Sequence, residues 1–266
     1  PPGGYPSAEN DTTGGARKAP RSDAAGMVEQ IDIAMTPAEA EAKEPGATYI
    51  VVDAVRATTT IAALFHRGLR RLRVVGGIDE ARRLRAAGDV ILFGEEGGLR
   101  PWGFDYGNSP AEAATLDLEG REAILMTSNG TKALCAVANL GLTAAGALVN
   151  LAAIAAFAET HRRVVVVCSG NAGARTFSLE DFAAGACIVQ LLHQRHQAAR
   201  LGDAALLAIE MKDPARLITR SEHADVMRRL QFDRDLAFVM SVDRAPCVPL
   251  IVEHGEGWAV LEAPGS

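Results

Sequence analysis

Val51-Val52-Asp53-Ala54-Val55-Arg56-Ala57-Thr58-Thr59-Thr60 passes from an apolar run into an acid, a guanidinium and three consecutive hydroxyls. The apolar residues at 48–52 read as a short strand, and the Ala-rich stretch after Arg56 predicts a helix over 57–67. A strand emptying into a helix start leaves the first helical N–H groups without intrahelical partners. Anions collect at such ends, because those N–H groups and the helix dipole both favour negative charge. Asp53 is therefore read as a metal ligand or nucleophile, and Arg56, Thr58 and Thr59 as groups for a phosphate.

Outward from this junction the same alternation continues. Residues 72–75, 90–93, 123–126, 144–148 and 164–168 read as further strands, and 78–87, 130–140, 151–160 and 178–200 as helices with apolar spacing near 3.6. Such alternation implies βαβ units, giving a three-layer α/β/α fold with a largely parallel or mixed sheet. Val164 to Val167 are apolar at consecutive positions, which suits a strand covered on both faces. Residues 1–26 are rich in Pro, Gly, Ser and Ala and are expected to be a flexible tail. The main catalytic α/β domain is then 27–202. Residues 203–266 form a smaller C-terminal α/β portion, either a lobe or an extension whose terminal hairpin packs on the sheet.

Composition excludes several classes. A chain of 266 residues, 48% hydrophobic, has ample material for a core. Its 27 basic and 33 acidic residues give a net charge of -6, with no basic, aromatic-studded segment of the kind that binds nucleic acid. No apolar run reaches the length of a membrane span. Cys135, Cys168, Cys187 and Cys247 are widely spaced among apolar neighbours, as reduced core thiols are, and a cytoplasmic location is expected. The expected partner is a small anionic substrate; assembly into a homo-oligomer stays open.

Polar residues follow the other strands too. Gly94-Glu95-Glu96-Gly97-Gly98 places two acids among glycines, and magnesium, which takes one or two carboxylates plus waters and phosphate oxygens, suits Asp53 and Glu95. Asp105 and Asp181 are the next candidate ligands. Asn108 reads either as part of a turn or as a ligand contact, while Ser109 and Pro110 read as the cap and first residue of a helix. Ser128, Asn129, Thr131 and Lys132 form a second anion cradle at a strand-to-helix junction. Ser169 follows the strand ending at Cys168 and reads as a further substrate contact. Ser178 reads as a helix N-cap, with Asp181 either complementing the helix dipole or activating water.

Other chemistries lack their motifs. No Gly-x-x-x-x-Gly-Lys-Ser/Thr loop occurs, and no Gly-x-Gly-x-x-Gly follows the first strand. The Asp-x-Asp of aspartyl phosphatases is missing at Asp53. Six residues rather than five separate Cys168 from Arg175, which argues against a cysteine-dependent phosphatase loop.

Taken in order, Val52 to Thr60, Gly94 to Gly98, Gly103 to Pro110, Ser128 to Thr131, and Cys168 to Gly170 with Ser178 to Asp181 resemble the 2-phosphosulfolactate phosphatase family. The resemblance spans most of residues 48–190. It implies a magnesium-dependent phosphatase of α/β fold, acting in coenzyme M biosynthesis on the phosphate monoester of a sulfonated three-carbon acid. Two positions depart from the family pattern: Glu96 stands where an arginine follows the Gly-Glu pair, and Ala54 where a bulkier aliphatic is usual. The expectation is Mg2+-assisted monoester hydrolysis, with a lyase or transferase on the same anion site, or a non-catalytic anion-binding protein, as the competing readings.

Overall fold

A computed structural model describes residues 28–42 and 45–264. The expected tail at 1–26 lies outside the described residues. The strands are β1 (Gln30–Ala34), β2 (Thr48–Val52), β3 (Arg71–Val75), β4 (Ile91–Gly94), β5 (Glu122–Met126), β6 (Thr143–Gly146), β7 (Arg163–Cys168), β8 (Arg200–Leu201), β9 (Leu250–Gly255) and β10 (Trp258–Glu262). Interspersed are α1 (Pro37–Glu41), α2 (Ala57–His66), α3 (Ile78–Ala86), α4 (Pro110–Ala113), α5 (Gly130–Val137), α6 (Leu151–Ala158), α7 (Leu179–Arg195), α8 (Asp203–Ile209), α9 (Pro214–Ile218), α10 (Glu222–Arg229) and α11 (Asp233–Val239).

All ten strands join one mixed sheet in the order β4-β5-β3-β10-β9-β6-β2-β7-β1-β8. It consists of two parallel arms. In one, β6, β2, β7, β1 and β8 run parallel; in the other, β3, β5 and β4 do. The antiparallel hairpin β9–β10 joins them, with β10 against β3 and β9 against β6. The C-terminal hairpin is thus an integral, central part of the sheet, and 203–266 also supply α8 to α11.

Side-chain alternation explains the layers. Successive residues of a strand point to opposite faces, so in β2 Tyr49 and Val51 enter one core while Ile50 and Val52 enter another. The first core holds Ile61 and Leu64 of α2, Leu134 and Val137 of α5, and also Leu72 and Val74 of β3. Both arms therefore fold toward each other around α2 and α5. The second core packs β1, β2 and β7 against α6, α7 and α8 through Ile33, Val166, Ile188 and Ala205. A third, smaller cluster sets Ala81 of α3 on Leu92 and Ile124. This is a three-layer α/β arrangement, and its curl brings strand ends that are far apart in sheet order to one crevice.

The long predicted helix ends early. α7 stops at Arg195, and Arg200–Leu201 turn back to pair in parallel with Gln30 and Ile31 of β1. The caps fall where expected: Ser178 Oγ accepts from the Asp181 N–H at 3.3 Å, and Ser109 Oγ from the Glu112 N–H at 3.1 Å with Pro110 at the first helical position.

Candidate active site

The β2–α2 junction is built around Asp53. Its Oδ1 accepts the Ala57 N–H at 3.1 Å, and its backbone N–H donates to Thr58 Oγ1 at 3.0 Å. The Thr58 and Thr59 hydroxyls donate back to the carbonyls of Asp53 and Ala54, at 2.9 and 2.8 Å. Both threonines are fully buried. Their hydroxyls are committed to the turn, so they shape the site through the backbone.

Across the crevice the head of α5 meets Asp53. A Cβ placed on Gly130 would lie 2.5 Å from both Asp53 Oδ2 and Ala57 Cβ. Only a glycine allows that approach. Beside it the Ser128 N–H donates to Glu95 Oε1 at 2.6 Å, while the Gly98 N–H donates to Glu95 Oε2 at 2.8 Å. Gly98 has φ of 84° and rests on Met227 of α10 and on Leu230 just past its end, so both its conformation and its packing disfavour a side chain. Glu95 is thereby held in the crevice with one N–H on each oxygen.

Asp181 braces the remaining strand ends. Its Oδ1 accepts the Ala54 N–H at 2.9 Å, and its Oδ2 accepts Ser169 Oγ at 2.9 Å and the Gly170 N–H at 3.0 Å. Three donors occupy most of the four acceptor sites of a carboxylate. Ser169 is equally committed, since its N–H also donates to the Val52 carbonyl at 2.8 Å. Asn129 ties β5 to the loop after β7: its Oδ1 accepts from the N–H groups of Gly173 and Ala174, at 2.9 and 3.3 Å.

Two residues not singled out from the sequence complete this wall. Glu180, 3% exposed, lies 3.1 Å through Oε1 from Nδ1 of His223 on α10. Glu180 sits in the first turn of α7 beside Asp181, where any acid suits the helix dipole, and nothing local marked His223. Together with Glu95, Gly98, Ser128, Asn129 and Asn171, His223 lines a cavity of about 320 Å³.

Electrostatics bind the cluster together. Burial, followed by the charges of Glu95 and Glu180, pushes Asp53 above the usual carboxylate range despite the Ala57 N–H and His223. Burial and the neighbouring charges of Asp53 and Glu180 push Asp181 well above it. For His223 burial opposes the charged ring, but the hydrogen bond to Glu180 and the charges of Asp53 and Glu180 outweigh it, so its pKa is raised. Burial likewise works against ionised Glu180, yet the His223 hydrogen bond brings its pKa below the ordinary value.

Other candidates sit elsewhere or serve the scaffold. The Arg56 guanidinium is buried, donating to Asp235 Oδ2 at 2.7 Å and to the Gly98 carbonyl at 2.8 Å, with Phe232 stacked 4.4 Å away. It clamps the β2–α2 turn to the Glu95 loop and α11. Asp235 also accepts Ser109 Oγ at 2.6 Å, an interaction that no local sequence signal reveals. Asp105 is not brought to the crevice: it pairs with Arg85 at 2.9 Å and accepts the Leu92 N–H at 2.8 Å. Thr131 is buried and exchanges hydrogen bonds with Thr127. Asn108 is buried, and its Oδ1 meets no donor. Lys132 is exposed in the first turn of α5.

The four cysteines carry no disulfide. Burial pushes Cys135 and Cys247 up to about 12 and Cys187 up to about 11, and raises Cys168 well above its ordinary value, so none is an activated thiolate. Among the described residues, no helix is long and apolar enough to cross a membrane.

A family model described as 2-phosphosulpholactate phosphatase matches residues 34–254. A protein of Pseudothermotoga lettingae named "Probable 2-phosphosulfolactate phosphatase" is 35% identical over 205 residues, covering 77% of this chain and 89% of that protein. One of the same name from Carboxydothermus hydrogenoformans is 34% identical over 225 residues, covering 83% and 92%.

Proposed function

The chain belongs to the 2-phosphosulfolactate phosphatase family and is a phosphoric monoester hydrolase, and on that premise we propose that it hydrolyses 2-phosphosulfolactate, or a related phospho-acid, with the help of Mg2+. The observation that carries this reading is the meeting of Asp53, Glu95, Glu180 and Asp181 beside the heads of α2 and α5.

The donor set fits magnesium. These are hard oxygen ligands, and buried carboxylates so close together repel one another until a cation joins them. Among the described residues no group of three or more His, Cys, Asp or Glu gathers as a metal cage, so the reading rests on Asp53 and Glu95, with water and phosphate oxygens completing the shell. Asp53 and Glu95 would hold it, because each presents a carboxylate fixed by backbone N–H groups on the crevice side. When bound, magnesium supplies positive charge to the phosphoryl oxygens and the leaving oxygen.

The chain's own residues do the rest. Asp53 Oδ1 is anchored by Ala57, which aims Oδ2 toward the head of α5. Asp181 holds the Ala54 and Ser169–Gly170 backbones in register. Asn129 fixes the loop at Gly173, and the exposed Lys132 draws the anionic substrate to the crevice by charge. Arg56 acts by positioning the Gly98 turn that fixes Glu95.

The test is a phosphate-release screen over small sulfonated and carboxylated phosphomonoesters, with Mg2+ and with chelator. The proposal expects release that is greatest for 2-phosphosulfolactate and lost in chelator. Absence of release from every ester would end the reading, and full release in chelator would remove magnesium from it.

A further inference from the structure

On the reading that this crevice hydrolyses a phosphate monoester, we propose that His223, held by Glu180, is the proton donor to the leaving alkoxide. An alkoxide departs poorly without a proton, and general acids supply it when positioned within hydrogen-bond reach. Three titratable side chains line the cavity: Glu95, Glu222 and His223. Glu95 accepts an N–H on each oxygen, which suits a fixed anion rather than an acid. Glu222 is exposed at the first position of α10. His223 is oriented instead.

Its Nδ1 faces a carboxylate that is nearly sealed from solvent, so Nδ1 carries the proton of that hydrogen bond and the ring cannot turn freely. Nε2 is then the atom left for the cavity. The Glu180 side chain is 3% exposed and that of His223 27% exposed, so the carboxylate is the buried member of the pair and the imidazole the one that reaches the cavity wall. A buried acid holding a partly exposed imidazole at a cavity wall is the arrangement that proton delivery needs.

The step balances. As an oxygen forms its bond to phosphorus, the ester P–O bond breaks and its electron pair stays on the ester oxygen. The Nε2 proton moves to that oxygen and gives the free alcohol. The water consumed places its oxygen and one proton on the phosphate and returns its other proton to the imidazole.

The test compares kcat/KM of wild type, His223→Gln and His223→Asn on 2-phosphosulfolactate and on 4-nitrophenyl phosphate, whose leaving group departs without a proton. The Asn variant keeps an amide N–H near the place of Nδ1 for Glu180, so it separates fold from chemistry, and thermal melts of both variants report folding. Both variants are expected to lose about 10²- to 10⁴-fold on the alkyl ester while the nitrophenyl ester is turned over nearly as by wild type. An equal loss on both esters, or no loss on the alkyl ester, overturns the assignment. Failure of the wild type itself to hydrolyse either ester instead defeats the hydrolase reading beneath it.

Discussion

Replacing Gly130 by alanine forces a methyl group between the heads of α2 and α5. That carbon would stand 2.5 Å from Ala57 Cβ, 2.5 Å from Asp53 Oδ2 and 3.0 Å from Asp53 Cβ. Carbon atoms rest at about 3.5–4.0 Å from one another, so one of the two helices must retreat by about 1 Å. In an ordinary helix interior the same substitution stabilises by roughly 0.5–1 kcal/mol, because it removes the entropic cost of glycine. Overpacking costs roughly 1–3 kcal/mol, and here it acts against backbone-anchored atoms, so the sign reverses. Each kcal/mol lost lowers the Tm of a chain of about this size by roughly 2–4 °C, so the expected fall is up to about 10 °C. Displacing Asp53 by about 1 Å should also lower kcat/KM by about 10²-fold. Thermal melting and steady-state phosphate release read the two effects. A Gly130→Ala variant with unchanged or raised Tm and normal kcat/KM would refute the close approach of α5 to Asp53.

Arg56 and Asp235 form an ion pair with side chains 2% exposed on both sides. Asp235→Ala should cost about 3–5 kcal/mol in urea unfolding, whereas joint replacement by Met and Leu should cost far less, because no charge is left buried alone; equal losses would show that the pair is not the cause. Stability should also respond to pH at the carboxylate cluster. Asp53 and Asp181 titrate above the ordinary value of 3.8 when folded, so the folded chain keeps protons that the unfolded chain releases. Their stabilising contribution is full below 3.8 and is lost as pH rises through the folded values. Without divalent cations, Asp53→Asn should therefore gain Tm relative to wild type as pH rises across that window; a difference that stays constant with pH contradicts the clustering.

The centre of the longer parallel arm was legible because β2 and β7 announce themselves, each apolar at consecutive positions and ending in polar residues, whereas β1 and the two-residue β8 of the same arm were not read as strands. The seat of β9–β10 was not, since its pairing with β3 and β6 joins residues far apart in the chain and no local pattern specifies a partner. At the site, Asp53, Glu95, Asn129 and Asp181 were visible as polar residues just past strands or at a helix start, and the fold gathers them. Thr58, Thr59 and Thr131 were read as ligand groups, yet their hydroxyls close local backbone turns, a habit of threonine that competes with any ligand role. Asp105 looked equivalent to the other acids until Arg85 claimed it. His223 and Asp235 arrive from α10 and α11, whose charged sequences resemble any solvent-facing helix. Only tertiary packing distinguishes them.

The most direct test of the central claim is phosphate release from 2-phosphosulfolactate by Asp53→Asn at saturating Mg2+, with folding checked by its melt. The Asn side chain preserves size and an acceptor for Ala57 but removes the charge. Loss of roughly 10²-fold or more in kcat is expected, because Asp53 would hold the magnesium whose charge offsets that of the phosphoryl group in the transition state. Turnover near the wild-type rate by a folded variant would contradict the account.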